Sequence, residues 1–143
     1  MGYTHYWVIR RPIAKRAMTK IVADVRKLLA ATPVPVAFES DEPLLAPEVS
    51  ATLIRFNGVG DDGHETFYFT PHADPDSGFC KTNRKPYDRL VTAVLIVIAK
   101  HSGSAIEVTS DGAAVDWLPG AAFVKQVLGE GYAVPLAAEE QVQ

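Results

Sequence analysis

Cys80 is the single cysteine of the 143-residue chain, so no internal disulfide can staple the fold. With no basic-then-apolar leader pattern at the N-terminus either, a reducing cytoplasm is the expected setting. A large charge of one sign is also missing, the formal net charge being −3. That argues against a duplex nucleic-acid binder, whose affinity depends on neutralising many phosphates across a broad basic face. Any basic site here has to be local. Long apolar runs are absent too: the longest, Leu90 to Ala99, is interrupted by Thr92 and is about half of the roughly 20 residues a membrane span needs. No membrane partner is expected. The sequence has no internal repeat, no low-complexity tract, no paired Cys-x-x-Cys or His-Glu-x-x-His pattern, and no Gly-x-x-x-x-Gly-Lys-Ser/Thr phosphate loop. No metal and no cofactor is expected.

What is present suits one ordinary domain, since 48% hydrophobic content can bury a substantial core without staples. Residues 1–136 are expected to form it, with 137–143 as a frayed tail. Tyr3 to Arg10 is aromatic and β-branched and reads as a strand, with Tyr3, His5, Trp7 and Ile9 on one side and Thr4, Tyr6 and Val8 on the other. Pro12 opens an amphipathic helix carrying Ile13, Ala17, Ile21, Val25 and Leu28/Leu29, ending near Ala31. Prolines at 33, 35, 43 and 47 make the stretch to Ser50 irregular or edge-like. Thr52 to Phe56 and Thr66 to Thr70 read as strands joined by a glycine-rich loop able to approach a ligand, and Pro71 to Gly78 as a further loop. The segment from Pro86 through Ala99 reads as a core helix, Ala105 to Thr109 as a short strand, and Pro119 to Leu128 as a last helix stopped by Gly129. Strands grouped in the middle with helices at intervals predict an α+β fold: one domain, a mostly antiparallel sheet, and two or three helices, one of them buried.

Chemistry concentrates in Cys80-Lys81-Thr82-Asn83-Arg84-Lys85-Pro86-Tyr87-Asp88-Arg89. A helix starting at Pro86 carries partial positive charge at its first turn, so Lys81, Arg84 and Lys85 ahead of it are unfavourable unless an anion sits among them. Free backbone N–H groups with guanidinium and ammonium donors would hold such an anion. The plainer alternative pairs these cations with Asp74, Asp76, Asp88 or another carboxylate. Lys81, Thr82, Arg84, Lys85 and Tyr87 are the expected ligand contacts. Tyr6 and Trp7 are candidates for stacking on a base, Arg11 for reaching the ligand, and His64 for the loop side of the site. Tyr3, Tyr6 and Trp7 could stack together on a base, but such a strand reads first as core.

Basic neighbours favour a thiolate at Cys80, but no base can be paired with it, and a small residue behind a core-anchoring Phe79 is the expectation. His64, Glu65, His72 and Cys80, with Asp61 and Asp62, match no recognised metal spacing. Asp111-Gly112 followed by Asp116-Trp117 reads as a turn with an indole beneath it.

Four segments occur together: Met1-Gly2-Tyr3-Thr4-His5-Tyr6-Trp7, Gly60-Asp61-Asp62-Gly63-His64-Glu65-Thr66-Phe67, Phe79 through Asp88, and Glu107-Val108-Thr109-Ser110-Asp111-Gly112 with Trp117. This combination resembles a family of small uncharacterised proteins encoded by bacteriophages and prophages, over most of the chain up to Trp117. The stretch from Pro33 to Pro47 and the tail fall outside the likeness. The resemblance carries no assigned activity, but it implies the cytoplasm of an infected bacterial host. There, small accessory proteins counter defence, in one known strategy by sequestering a nucleotide signal uncleaved. The expected function is therefore a non-enzymatic binder of a small phosphorylated or nucleotide-type ligand. The alternatives are an enzyme on such a substrate, with His64 or His72 as acid or base, and a protein that binds a host protein or nucleic acid directly. A short chain encloses a nucleotide best between subunits, so a homo-oligomer is expected, with Arg10 or Arg11 of one copy reaching a ligand held by Arg84 of another.

Overall fold

A computed structural model describes residues 2–137, with the backbone alone for residues 74–77. Most of the expected tail lies outside the described residues.

The alternation of the opening segment becomes β1, Thr4–Ile9, in which His5, Trp7 and Ile9 are buried on the inner face while Tyr6 stays exposed on the outer one. β1 is the middle strand of an antiparallel sheet, flanked by β6, Asp74–Lys81, and β7, Ile106–Ser110. The register sets His5 opposite Cys80 on one side and Ser110 on the other, and Tyr6 opposite Phe79 and Thr109. Trp7 faces Gly78, where any Cβ would lie 2.3 Å from the indole, so glycine is what lets the ring lie across β6.

The helices follow their apolar stripes. α1, Lys15–Ala31, buries Met18, Ile21, Val25 and Leu28. α2, Asp88–Ser102, buries every residue from Leu90 to Ile98, which is why it lies between α1, α3 and β7 instead of on the surface. α3, Leu118–Leu128, crosses α2 at Gly120, where a Cβ would sit 2.2 Å from the Thr92 hydroxyl. Asp24 of α1 accepts hydrogen bonds from His101 Nε2 (2.8 Å) and from the Tyr132 hydroxyl (3.0 Å), tying two helices to the segment after α3.

A second antiparallel group is built on β4, Ile54–Gly58. It pairs with the two-residue strands β2, Val36–Ala37, and β3, Glu48–Val49, and with β5, Phe67–Phe69. The proline-rich stretch thus yields only short flanking strands, as proline's missing donor requires. The loop after β4 is closed by Asn57, which donates to the His64 carbonyl (2.9 Å) and accepts from the His64 N–H (3.1 Å). All pairings are antiparallel, and the described residues form one α+β domain.

Two expectations are corrected. Residues 74–78 extend β6 where a loop was expected, because pairing with β1 outweighs the turn composition of Asp74 to Gly78; the register is irregular between Trp7 and Ile9. α2 starts at Asp88 and not at Pro86, which falls in the preceding turn.

Gly120→Ala is expected to destabilise by about 1–3 kcal/mol in urea unfolding, through overpacking at the α2–α3 crossing. Gly131→Ala is the control: the nearest atom to its Cβ is 3.9 Å away, and its effect should stay within about 0.5 kcal/mol. Equal effects would contradict a tight crossing.

Candidate functional site

Between β6 and α2 the chain turns tightly, with the Lys85 N–H donating to the Thr82 carbonyl at 3.0 Å. Both central residues are left-handed, Asn83 at φ 55° and Arg84 at φ 58°. This is the mirror-image turn that normally takes Asn-Gly. Asparagine tolerates the conformation; arginine has no local means to relieve the Cβ clash. The turn is laced to the start of β1, since the N–H groups of Thr82 and Asn83 both donate to the Tyr3 carbonyl, at 3.0 and 3.1 Å. From there the Arg84 guanidinium lies 3.8 Å over the centre of the Tyr3 ring, and its Nη1 is 3.7 Å from Asp116 Oδ1. The side chain remains 62% exposed.

Beneath the turn is a buried polar series that sequence reasoning missed. His5, fully buried, donates from Nε2 to Asp88 Oδ1 at 2.7 Å and accepts at Nδ1 from the Ser110 hydroxyl at 2.8 Å. Asp88 also accepts from the Thr82 hydroxyl, and Ser110 Oγ accepts from the Gly112 N–H at 2.9 Å. Tyr3 and Trp117 meet the imidazole edge-to-face, each at 5.0 Å between centroids. Serine, histidine and carboxylate in series are the ingredients of a hydrolase. The neighbouring backbone donors are spent, however: the Asp111 N–H on the Thr4 carbonyl, that of Gly112 on Ser110, and that of Ala113 on Asp116 Oδ2 (2.8 Å), while the Tyr3 hydroxyl and Trp117 Nε1 beside the imidazole are buried without a partner. No backbone N–H pair remains here to stabilise an oxyanion, and the imidazole is sealed from solvent. The series works as a clamp that holds β7, β1 and α2 together. The only sequence signal for it was a histidine on the inward-facing side of an apolar strand.

The expected site residues are dispersed by this arrangement. Trp7 packs in the core against Phe67, 5.2 Å between centroids, and Tyr87 is fully buried with its hydroxyl donating to the Glu65 carbonyl, so neither can touch a ligand. Thr82 is buried and committed to Asp88. Arg11 lies beyond the far end of β1 and donates to the Ser104 hydroxyl at 2.6 Å, so within one chain it does not meet Arg84. Arg10 is engaged with Glu107 there as well. His64 is exposed on the loop after β4. Lys85 is half-buried beside the turn. Lys81 points to the outer face of the sheet, where its Cε lies 2.7 Å from where a Gly2 Cβ would be. Lys81 ends β6 on that face, whereas Arg84, in the turn beyond it, folds over Tyr3 toward Asp116, so the two cations lie on opposite sides of the strand end. The negative charge expected from a ligand at the helix start is supplied in part by Asp88 in the first turn of α2.

Cys80 and Phe79 exchange the roles expected of them. Phe79 is 59% exposed on the outer face beside Tyr6, at 40%, whereas Cys80 is fully enclosed opposite His5. Burial pushes the Cys80 thiol up to about 12, opposed only in part by its hydrogen bond with Tyr87, so the basic neighbours in sequence do not make it a thiolate. Among the described residues, no three His, Cys, Asp or Glu side chains gather as a metal-binding group. Clefts of about 440, 410 and 380 Å³ lie beside α1 and β3, beside β7 and Leu136, and at the start of α1. None of the three is lined by a residue from Lys81 to Lys85.

Tyr3 and His5, Thr82 to Asp88, and Ser110 to Trp117 meet at this corner. No family model, curated protein or solved structure matches the chain. No helix of the described residues is long and apolar enough to cross a membrane.

Burial also raises the phenols of Tyr87 and Tyr3, with the Cys80 and Glu65 charges adding to it at Tyr87 and the Asp88 and Asp116 charges at Tyr3. These groups hold their protons more tightly folded than unfolded. Their contribution to stability is therefore full below the ordinary values of 9.0 for the thiol and 10.0 for the phenols; it is lost as pH rises from 9.0 through about 12 for Cys80, and as pH rises above 10.0 for the phenols. Urea midpoints are expected to hold to about pH 8 and to fall steeply by about pH 10.5, less so for Cys80→Ala. A midpoint flat across that range would contradict the burial of these groups.

Proposed function

We propose that this chain binds a small phosphorylated ligand of nucleotide type at the Arg84 rim and holds it without converting it. The observation that supports this reading is the balance of energies at Arg84. Keeping an arginine in the left-handed region costs about 1–2 kcal/mol. Its stacking on Tyr3 returns about 0.5–1 kcal/mol at an exposed position. The long, solvent-facing contact with Asp116 returns about 0–1 kcal/mol. As structure, then, the side chain barely breaks even, and glycine would serve the turn better. An arginine there, 62% exposed and held by no close hydrogen bond to Asp116, fits a role in gripping an anion bidentately. Lys85, half-buried in the same turn, adds positive potential.

Holding is favoured over conversion because the nearest nucleophile and base are out of reach. Cys80 and His5 are both fully buried, the first as a neutral thiol and the second bonded at both ring nitrogens. In the phage setting that the resemblance implies, the corresponding role is to sequester a host nucleotide signal.

Arg84→Gly separates function from structure. It is expected to leave the melting temperature unchanged or raise it. In equilibrium dialysis against nucleoside 5′-mono-, di- and triphosphates, binding should weaken by more than about 1.5 kcal/mol, or roughly tenfold. Destabilisation by more than about 1 kcal/mol with binding intact would make Arg84 a structural tie and sink the proposal.

A further inference from the structure

The Arg84 rim holds a carboxylate as well as a guanidinium, and the two stand side by side without satisfying each other. Asp116 is fixed by its own turn, since its Oδ2 accepts from the Ala113 N–H at 2.8 Å. It is therefore not free to follow the arginine. Its Oδ1 lies 3.7 Å from Arg84 Nη1, beyond hydrogen-bond reach. Among the described residues, neither that oxygen nor any guanidinium N–H has a hydrogen-bond partner. Glycine permits this crowding: a Cβ at Gly112 would lie 2.2 Å from the Tyr3 hydroxyl and 3.1 Å from Asp116 Cβ. The hydroxyl end of Tyr3 thus closes on the Asp116 side, while its ring carries the guanidinium at 3.8 Å.

A fixed acceptor beside a fixed donor selects a group that brings both a proton and a lone pair. A fully ionised phosphate brings acceptors alone, so its oxygens, once bonded to Arg84, meet the Asp116 carboxylate as like charges. A phosphodiester only exchanges its single charge for the one Asp116 already supplies, and it has no proton to give. A singly protonated phosphate monoester satisfies both sides. One of its oxygens accepts from Arg84 and its P–OH donates to Asp116 Oδ1, in charge-assisted bonds of about 2.8 and 2.6 Å. The second ionisation of such an ester falls at about pH 6, so the proton is present near neutrality only on a terminal phosphate. The other ionisable groups of the corner are engaged elsewhere. Asp88 is bonded to His5 and Thr82, and Asp111 accepts from the Thr4 N–H (3.0 Å) and the Tyr6 hydroxyl (3.3 Å). The Tyr3 phenol is raised by burial and keeps its proton, and Lys85, half-buried in the turn, carries positive charge.

We infer, resting on Arg84 as the anion anchor, that Asp116 determines the specificity of the rim and restricts it to a terminal phosphate monoester bound with one proton on the phosphate. Binding is then strongest below the second ionisation of the ligand and weakens as pH rises through it.

Calorimetric titration with AMP as the monoester and 3′,5′-cyclic AMP as the diester tests this, with melting temperatures confirming the fold at each pH. The protein is expected to bind AMP at least about fivefold more tightly at about pH 5.5 than at about pH 8, and to bind cyclic AMP weakly at both. Asp116→Asn keeps an oxygen for the Ala113 N–H; it should level the AMP affinities across pH and strengthen cyclic AMP binding about threefold. Adenosine 5′-phosphorothioate, whose second ionisation is more acidic, should move the profile of the unmodified protein to lower pH, a readout that needs no variant. A pH dependence that survives Asp116→Asn, or that ignores the phosphorothioate, assigns the titration to a protein group such as His5 and overturns the inference. Equal AMP affinities at both pH values, abolished by Arg84→Gly, overturn it and spare the rim. AMP binding untouched by Arg84→Gly, or absent from the unmodified protein and Asp116→Asn alike, removes the rim and the inference with it.

Discussion

Burying His5 constrains this fold more than any single apolar contact. An imidazole placed among apolar side chains is costly unless both ring nitrogens find partners, and leaving one unpaired costs about 1–3 kcal/mol. Here one nitrogen is satisfied only by the end of β7 and the other only by the first turn of α2. Meeting both demands fixes β1 between its neighbours and sets where α2 begins. A one-residue slip of β1 would drive Tyr6 inward and His5 out, losing both bonds at once. The turn carrying Arg84 bridges β6 and α2 over the start of β1, so its position follows from the same clamp.

The clamp also divides the corner into an interior without access and a rim without enclosure. Polar groups that could perform chemistry are spent on each other: Ser110 on His5, His5 on Asp88, Asp88 on Thr82. What remains displayed is a guanidinium on one side of the strand end, and a lysine with two aromatics on the other. Rigid support under an exposed cation is suited to recognition, since little ordering is needed when a ligand arrives.

Local pattern carried much of the fold. The alternation of β1, the stripe of α1, the all-round apolar surface of α2 and the glycine stop of α3 each appear where periodicity put them. The misses share a physical cause, which is that pairing partners far along the chain override local composition. Asp74 to Gly78 looks like a turn and becomes strand because β1 pairs with it. That same register decides parity, turning Cys80 inward opposite His5 and Phe79 outward, although Phe79 is by far the more apolar of the two. Asp88 reads locally as a counter-charge for lysines, while its partner His5 lies 83 positions away. The cations themselves were legible as a cluster. Which side of the strand end each would take was not, because Lys81 follows the register of β6 while Arg84 follows a left-handed turn laced to Tyr3.

The claim that unites these observations is that the corner retains a phosphorylated ligand intact. The direct measurement is native mass spectrometry of the purified protein after incubation with a bacterial small-molecule extract, followed by heat release and analysis of what it held. The account predicts a bound species that carries phosphate and is released with its mass unchanged. Release of a converted product, or retention of no phosphorylated species by a protein that remains folded, would contradict it.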